Sequence, residues 1–386
     1  MPPDTPIDKT RYADLTAAAL AVKPLARSET IPSAWQVEAR FDALDREAVF
    51  GRSWQYVGPV SRAAAPGDYF VAEVAGNPLL VLHGTDGTLR AFYNVCRHRA
   101  GPLATCDGHA DKVIKCHYHG WTYRLDGSLR GVPSFDRVEL FDKRDFGLVP
   151  VRLETWEDLA FVNLDAGARS LAESVAGIVE RIAPQRLAGK RFHTRVTYDV
   201  KANWKVYVDN YLEGYHVPLV HPELCKLYDY RSYVTQTFEH YSLQYSPLSG
   251  DANIYTSGEG DAYYYWIYPN FMLNILPGRL QTNLVVPTGP ERCRVIFEYF
   301  YDDVESPAAR TMIAEDVAFS DDVQREDIEI CEHVQRGLGS RAYDRGRFSV
   351  KFEEGVWHFH ALLRQAYGRA LGKGRLRRAP ARRKRR

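Results

Sequence analysis

The sequence predicts an α+β protein with two domains, a small all-β domain followed by a larger domain that combines strands and helices. Its 386 residues exceed one ordinary domain, and a hydrophobic fraction of 45% is that of a protein with a full core. Between residues 54 and 165, short apolar or alternating runs are separated by Asp86-Gly87 and Asp126-Gly127, pairs that are typical of β-hairpin turns. From residue 166 onward, runs rich in Tyr, Phe and Val stand between helical patterns, which indicates a mixed second domain.

Residues 1–45 are predicted to form an N-terminal helical segment that packs on the second domain, with Pro24 and Pro32 as interruptions. Within it, the apolar stretch 15–22 is predicted as an amphipathic helix, because it is short and preceded by acids, unlike a secretory signal. No apolar run reaches the roughly 18 residues that span a bilayer, so no membrane association is expected. The six cysteines show no pattern of pairs, which indicates a reducing, cytoplasmic location.

The net charge of +1 hides an asymmetry along the chain. Residues 364–386 carry eleven Lys and Arg and no acid, whereas residues 1–363 carry 39 basic and 49 acidic side chains, a net charge of −10. An acidic body is not expected of an enzyme that acts on nucleic acid. Residues 364–386 are predicted to be a disordered, solvated basic tail; docking of an acidic partner protein is the alternative.

The hydrophobic pattern places the individual elements. In the first domain, residues 46–165, strands are predicted over 54–57, 69–74 and 79–82, with closing strands over 156–165. In the second domain, residues 166–363, the predicted elements are a helix over 171–187, a strand over 192–200, a helix from 203, strands over 232–248, 263–276, 279–287 and 293–302, and a helix over 316–337.

Two pairs of cysteine and histidine lie inside the first domain. Cys96 and His98 form the first pair, and Cys116 and His119 follow after seventeen intervening residues. A Rieske [2Fe–2S] cluster, with two cysteines on one iron and two histidines on the other, needs this set of ligands. A Cys2His2 zinc site is the alternative, but a helical zinc finger places both histidines on one helix. Because each cysteine here has a histidine of its own, we predict the iron–sulfur cluster.

A second group of candidate ligands lies between residues 209 and 222. Glu213 and His216 are three residues apart and would share one face of a helix. Pro218 is predicted to end or kink that helix, so that His221 can return towards His216. Two imidazoles with a carboxylate nearby are the ligands of a mononuclear non-haem iron site. Two helix-end histidines satisfied by hydrogen bonds are the alternative.

Taken together, the two groups resemble the large (alpha) subunit of Rieske non-haem iron oxygenases over nearly all of residues 46–340. The resemblance implies an N-terminal Rieske domain and a catalytic domain of the helix-grip type, in which a curved antiparallel sheet wraps a long helix. It also implies a homotrimer in which the cluster of one subunit passes electrons to the mononuclear iron, Fe(II), of its neighbour.

The resemblance also guides the choice of the third iron ligand. Glu326-Asp327 is similar to the family's Glu-Asp segment, in which the Asp binds iron, whereas Asp321-Asp322 is similar to the paired Asp of ring-dihydroxylating members. We predict Asp327, with Asp322 as the alternative.

Glu213 is the candidate for the family's carboxylate that bridges the two iron centres. Such a carboxylate can accept an N–H from a cluster histidine and another from an iron-ligand histidine. Most family members carry Asp at this offset, and Glu resembles the choline, glycine betaine, carnitine and proline-betaine oxygenases.

A quaternary ammonium group is well held by aromatic faces. Rings near the expected pocket are supplied by Tyr211, Tyr215, Tyr263, Tyr264, Tyr265, Trp266 and Tyr268. Strand side chains alternate, so half of such a run must face away from the pocket. The predicted substrate contacts are Tyr211, Tyr215, Tyr263, Tyr265 and Trp266.

The predicted function is that of a terminal oxygenase. The chain has neither a Gly-x-Gly-x-x-Gly motif nor the Cys-x4-Cys-x2-Cys of a plant-type ferredoxin, so the flavin and NAD(P)H chemistry is expected on a separate reductase. With O2 and electrons from that partner, the enzyme would hydroxylate a quaternary ammonium compound, by N-demethylation or C–H monooxygenation. The alternatives are a ring-hydroxylating oxygenase acting on an aromatic acid, a Rieske electron carrier without oxygenase activity, and a zinc-bound structural module.

Overall fold

The structure is a computed structural model and describes residues 7–227, 229–248 and 260–373. The first domain is built from ten antiparallel strands: β1 (Gln55–Pro59), β2 (Asp68–Val74), β3 (Asn77–His83), β4 (Leu89–Tyr93), β5 (Gly108–His109), β6 (Val113–Lys115), β7 (Thr122–Arg124), β8 (Leu129–Gly131), β9 (Pro150–Trp156) and β10 (Leu159–Asn163). Seven of them form a sheet in the order β1-β10-β9-β4-β3-β2-β5, and β6-β7-β8 form a second sheet. Pairing of β1 with β10 closes this domain, as predicted for residues 156–165.

The second domain contains one seven-stranded antiparallel sheet and most of the helices. Its strands are β11 (Arg191–Val200), β12 (Val234–Thr237), β13 (Tyr241–Pro247), β14 (Asp261–Ile267), β15 (Phe271–Leu276), β16 (Arg279–Gly289) and β17 (Arg292–Tyr301), in the order β11-β17-β16-β15-β14-β13-β12. The α-helices of the described residues are α1 (Ala34–Val37), α2 (Ala39–Ala48), α3 (Leu171–Ser174), α4 (Ile178–Ile182), α5 (Trp204–Tyr211), α6 (Val217–Val220), α7 (Pro222–Cys225), α8 (Pro307–Leu338) and α9 (Glu354–Leu371). Short 3₁₀ turns occupy Lys9–Tyr12, Leu25–Arg27, Phe50–Arg52, Val60–Ala63, Lys143–Phe146, Ala183–Gln185, Leu187–Gly189 and Tyr230–Ser232.

Three predicted elements are divided in the structure. The helix predicted over 171–187 is interrupted at Gly177, whose φ of 89° is a left-handed conformation that favours glycine, so α3 and α4 are separate. The strand predicted over 232–248 consists of the antiparallel pair β12 and β13. The strand predicted over 263–276 consists of β14 and β15, which turn at residues 268–270. The α+β class and the helix-grip arrangement are confirmed, since the sheet β11–β17 packs on the long helix α8 and on α5 and α9.

The two faces of the large sheet have different neighbours. One face contributes Trp266, Met272 and Phe297 to a core shared with the helices, including Trp204 of α5 and Phe359 of α9. The opposite face carries a second apolar cluster, in which the sheet residues pack against the first domain; its members include Tyr56, Phe161, Tyr265, Phe271 and Leu273. A cavity between the sheet and the helices can therefore use the side chains of one face only.

The N-terminal segment packs on the second domain, because Tyr12, Ile31 and Trp35 belong to the core that contains Trp204. Two details of its prediction are wrong. Residues 17–20 form a turn and not an amphipathic helix, since burial of the flanking Leu15 and Leu20 in that core overrides the local pattern. Helix α2 also continues to Ala48, past the predicted boundary at residue 45.

The predicted start of a disordered tail at residue 364 is also wrong. Helix α9 continues to Leu371, and Arg364 inside it donates hydrogen bonds to the carbonyl oxygens of Ala19 and Thr30. Tyr367 and Leu371 are buried, so apolar side chains on one face hold this basic stretch against the core. The rest of the predicted tail, residues 374–386, lies outside the described residues. None of the helices in the described ranges combines the length and apolar composition needed to cross a bilayer.

A buried polar network anchors the helix that leads to the candidate site. Asp45 of α2 accepts hydrogen bonds from Lys205 and from the Trp204 indole of α5, and from the Tyr367 hydroxyl of α9. Burial raises the pKa of Asp45, and the Lys205 ammonium counters this effect. The network therefore joins three helices at a point where an unpaired charge would be costly.

Candidate metal centres and active-site cavity

The two histidines of the second candidate group flank a short helix. Helix α5 ends at Tyr211, so Glu213 and His216 do not share its face, and this part of the prediction is wrong. Pro218 is the second residue of α6, a position where proline is tolerated because its missing N–H is not needed, so it begins a helix instead of ending one. His216 precedes α6 and His221 follows it, and their ring centroids lie 5.1 Å apart.

Asp327 of α8 completes a group of three potential metal ligands. Its Oδ1 lies 2.9 Å from Nε2 of His221 and 3.8 Å from Nε2 of His216. Among the described residues, these three are the one set of His, Cys, Asp or Glu whose donor atoms all lie within 4.8 Å of one another. Two imidazoles and one carboxylate at this spacing fit a mononuclear non-haem iron ion, with further coordination positions open.

Each imidazole is oriented by a second carboxylate. His216 Nδ1 lies 2.7 Å from Oε1 of Glu213, and His221 Nδ1 lies 2.6 Å from Oε2 of Glu326. Donation of Nδ1–H to a glutamate leaves the Nε2 lone pair of each ring available to a metal. Burial lowers the pKa of His221, but the Asp327 and Glu326 carboxylates outweigh it, so the pKa is raised overall.

The competing aspartates have other partners. Asp321 accepts a hydrogen bond from Tyr198 at 2.9 Å and pairs with Arg325. The side chain of Asp322 is 74% exposed and lies 3.5 Å from Arg325. Asp327 is therefore the aspartate that the fold brings to the two histidines. The partnership of Glu326 with His221 was not predicted, although Glu326 stands beside Asp327 in the sequence.

A cavity of about 120 Å³ adjoins this group. It is lined by Tyr207, Asn210, Tyr211, Glu213, His216, Val217, His221, Leu224, Tyr233, Gln244, Tyr264, Asn274, Gln281, Asn283, Phe297, Ser320, Val323, Gln324 and Asp327. Many pairs in this lining are joined by hydrogen bonds: Tyr211 donates to Asn274 Oδ1 at 2.7 Å, and Tyr233 donates to Gln244 Oε1 at 2.8 Å. Burial, with the nearby Tyr264 and Tyr233 hydroxyls, raises the pKa of Tyr211 well above its usual value.

Of the five aromatic residues predicted to contact substrate, one lines the cavity and four do not. Tyr211 lines the cavity. Tyr263 and Tyr265 lie on the opposite face of β14 and pack in the cluster next to the first domain, so their prediction is wrong. Trp266 faces the helices but packs against Phe359 in the core, away from the lining. Tyr215 is 53% exposed and is likewise no part of the lining.

Tyr264, by contrast, lies in the cavity. It opposes Gln244 and Asn274 across the sheet, and Asn274 in turn opposes Gln281. The sequence shows that neighbouring tyrosines must alternate between faces, but it does not show which of them face the helices. Tyr233 and Gln324 also line the cavity and were not predicted.

The cysteine and histidine pairs of the first domain lie on two loops with matching backbone geometry. Cys96 N–H donates to Gly101 O and Cys116 N–H donates to Trp121 O, both at 2.8 Å. In each loop the residue four positions after the cysteine, Ala100 or Gly120, has a positive φ, of 58° and 75° respectively. The sequence therefore forms the same tight turn twice, one on each side of a shared site.

The donor atoms of these loops fit a two-iron cluster. Cys96 and Cys116 are both 2% exposed, and the ring centroids of His98 and His119 lie 4.6 Å apart. Nδ1 of His98 is buried without a hydrogen-bond partner in the described structure. No three of these four residues meet the 4.8 Å limit, whereas the ligands of a single zinc ion would lie within it. His119, unlike the cysteines, is exposed.

A tyrosine supports the buried side of this site. Tyr123 OH accepts a hydrogen bond from Arg97 N–H at 2.9 Å and lies 3.3 Å from Sγ of Cys96. A cysteine that binds a cluster is a thiolate and can only accept, so the Tyr123 proton would be directed to the sulfur. Burial raises the pKa of Tyr123, so the hydroxyl keeps this proton.

Comparisons with known proteins identify both domains. Residues 53–142 match the family described as Rieske [2Fe-2S] domain, and residues 187–369 match the family described as Ring hydroxylating alpha subunit (catalytic domain). The chloroplastic choline monooxygenase of Arabidopsis thaliana is 35% identical over 361 residues, which cover 88% of this chain and 83% of that protein. The chain belongs to the Rieske non-haem iron oxygenase alpha subunits.

Other relatives of this Rieske oxygenase are bacterial. The carnitine monooxygenase oxygenase subunit of Escherichia coli (strain K12) is 33% identical, covering 86% of this chain and 94% of that protein. A solved quaternary ammonium Rieske monooxygenase in complex with L-carnitine is 30% identical, with a TM-score of 0.78 over 91% of this chain and 98% of that chain. Naphthalene 1,2-dioxygenase from Rhodococcus sp., at 18% identity and a TM-score of 0.72, shares the fold.

Membership of this family establishes the class of enzyme and its cofactors. The chain is a Rieske-type non-haem iron oxygenase, an oxidoreductase with a [2Fe–2S] cluster and a mononuclear iron. A zinc-bound structural module and a Rieske electron carrier without oxygenase activity, both open from the sequence, are therefore excluded.

Proposed function

We propose that this Rieske oxygenase hydroxylates a small quaternary ammonium compound, by N-demethylation or C–H monooxygenation. The observation that carries the proposal is the cavity beside His216, His221 and Asp327, in which Tyr211, Tyr233 and Tyr264 provide aromatic rings for a quaternary ammonium group. Aromatic faces attract quaternary ammonium ions by roughly 0.5–2 kcal/mol for each ring. The names of relatives that act on choline and carnitine support the same class of substrate. The ring-hydroxylating alternative has the support of fold similarity alone.

In this proposal Cys96, His98, Cys116 and His119 hold the cluster. The orphaned Nδ1 of His98 and the failure of the four donors to converge on one point support a binuclear group. Tyr123 holds a proton toward Cys96 Sγ, which favours negative charge on that sulfur.

His216, His221 and Asp327 hold the mononuclear iron. When bound, the two groups supply single-electron transfer and activation of O2. Glu213 and Glu326 fix the imidazole planes through Nδ1, and Asn210 donates to Asp327 Oδ1 at 2.5 Å. The chain thus holds the three ligands in place before substrate enters the cavity.

We further propose a homotrimer that receives its electrons from a separate NAD(P)H-dependent flavin or ferredoxin-type reductase. His119 is exposed, so a neighbouring subunit can approach the histidine side of the cluster. Glu213, already bonded to His216, is the carboxylate that would link a neighbour's cluster histidine to this iron ligand. A related quaternary ammonium Rieske monooxygenase is described with inter-subunit electron transfer, which supports this assembly.

A cytoplasmic location completes the proposal, and the six cysteines support it because none of them forms a disulfide in the structure.

The test is O2 consumption by the reconstituted holoenzyme with a surrogate reductase. We expect uptake, together with formation of an oxidised product, with choline, glycine betaine or carnitine, and none with benzoate or salicylate. Conversion of an aromatic acid to a cis-diol, with no uptake on any quaternary ammonium compound, would refute the proposal.

A further inference from the structure

Beyond the class of substrate, the cavity contains an unpaired hydrogen-bond donor. Gln324 of α8 lines the cavity and is 1% exposed. Its Oε1 accepts the Tyr207 hydroxyl at 2.6 Å, whereas its Nε2 has no hydrogen-bond partner in the described structure. A buried amide N–H without an acceptor costs free energy, so a ligand oxygen that fills this role gains binding from it.

The lining contains no lysine or arginine among the described residues. Tyr228 and residues 249–259, the undescribed residues that interrupt the second domain, also contain neither residue type. Arg279 donates to Gln281 from behind the lining, and its guanidinium is paired with Asp316 at 2.8 Å. A substrate carboxylate would therefore enter a site without a cationic partner, which is unfavourable for a buried charge.

The charges of the lining also disfavour a carboxylate on the substrate. Glu213 and Asp327 are its two carboxylates, and together they balance the charge of one divalent ion. No excess positive charge is left for an anionic group of the substrate, whereas the tyrosine rings still attract an ammonium.

From these observations, and resting on the proposed function above, we infer that the substrate is a quaternary ammonium alcohol and that Gln324 selects it. The Gln324 amide donates a hydrogen bond to the uncharged hydroxyl oxygen of the substrate. Betaines and carnitine, which carry a carboxylate, are poor substrates. Gln324 is thus a specificity-determining residue.

The position of Gln324 also indicates which carbon reacts. Gln324 precedes Asp327 by three residues on α8, so the two side chains lie on one face of that helix. A hydroxyl held by Gln324 brings its carbinol carbon, and not an N-methyl group, next to the iron ligands. With two electrons from the reductase, two protons and one O2, a carbinol C–H becomes C–OH and one water is released. The resulting gem-diol loses a second water to give the aldehyde.

The experiment compares choline with ethyltrimethylammonium, the same cation without the hydroxyl group. Binding to the anaerobic holoenzyme is measured by calorimetry, and turnover by O2 uptake with product analysis. We expect the wild-type protein to bind choline about ten- to a hundredfold more tightly than ethyltrimethylammonium. It should bind glycine betaine and carnitine more weakly than choline, and form an aldehyde without formaldehyde.

Substitution of Gln324 separates recognition from structure. Gln324→Met removes the donor at similar volume, so it should weaken choline binding to the level of ethyltrimethylammonium and leave the latter unchanged. Gln335→Met is the matched control, because Gln335 is buried on the same helix and binds Asn203 N–H outside the lining; it should preserve the ratio of the two affinities. Iron content and the cluster absorbance verify that each variant is intact.

The possible failures are distinguishable. Equal wild-type affinity for the two cations, an equal loss for both in Gln324→Met, or release of formaldehyde from choline would overturn the inference. Oxidation of glycine betaine or carnitine in preference to choline would also overturn it but leave the proposed function intact. No binding and no O2 uptake with any quaternary ammonium compound would refute the proposed function itself.

Discussion

Replacement of Tyr123 by phenylalanine should lower the reduction potential of the Rieske cluster. The Tyr123 hydroxyl lies 3.3 Å from Cys96 Sγ, and because a cluster-bound thiolate has no proton to donate, the hydroxyl donates to the sulfur. A hydrogen bond to a ligand sulfur stabilises the reduced cluster, which carries one more negative charge, more than the oxidised cluster. Tyr123→Phe removes this bond and changes little of the ring packing.

The size of the change follows from the energy of the bond. Hydrogen bonds to charged groups contribute about 1.5–3 kcal/mol, and part of that is common to both oxidation states. A difference of about 1–2 kcal/mol between the states corresponds to about 40–90 mV, because a tenfold change in a one-electron equilibrium is about 59 mV. We therefore expect the potential to fall by that amount.

The assay is a redox titration of the holoenzyme followed by electron paramagnetic resonance or circular dichroism. Tyr118→Phe is the control, because Tyr118 makes no hydrogen bond to a cysteine sulfur in the described structure. Tyr118 is 59% exposed, and its ring packs on His119 with the centroids 3.8 Å apart. It should leave the potential unchanged. An unchanged potential in Tyr123→Phe, with the cluster fully loaded, would refute the reasoning.

Further changes test the other parts of the structure. Asp327→Ala should remove the mononuclear iron and leave the visible spectrum of the cluster; iron retained at that site on metal analysis would exclude Asp327 as a ligand. Glu213→Gln should cut turnover sharply with iron retained at both sites, and full activity would remove its bridging role. Glu326→Gln should reduce affinity for the mononuclear iron by about ten- to a hundredfold in a chelator competition, because His221 loses its charged partner. Lys205→Met should lower the free energy of unfolding by about 3–5 kcal/mol in denaturant titration, since Asp45 stays buried without its cation; a double variant with Asp45→Leu should recover part of this loss.

The fold and the metal chemistry could be predicted from the sequence because their signals are local. Cys96 and His98 lie two residues apart, and each loop needs only its own backbone to form the turn that presents its ligands. His216 and His221 are similarly close, and a short helix between them suffices to bring the rings together. The reason given for that approach, a helix ended by Pro218, was wrong, but the short separation left few other outcomes.

The cavity depended on contacts between distant segments. Whether Tyr264 or Tyr265 faces the helices follows from the register between β13, β14 and β15, in which a shift of one residue exchanges the faces. The sequence offers both Asp322 and Asp327 as the third ligand. Only the packing of α8 on the sheet places Asp327, and not Asp322, beside the histidines. The sequence predicts residues 364–371 as part of a basic tail. In the structure, Tyr367 and Leu371 are buried, so the apolar face of this segment belongs to the core.

The four candidate cluster ligands and the two candidate iron-ligand histidines were thus encoded in short spacings. The choice of Asp327, the shape of the cavity and the one buried amide nitrogen without a partner among the described lining residues came from tertiary packing. The physical reason is the range of the interactions. A turn or a ligand pair involves neighbours along the chain, but the orientation of a strand face or a helix depends on which apolar surfaces are buried together.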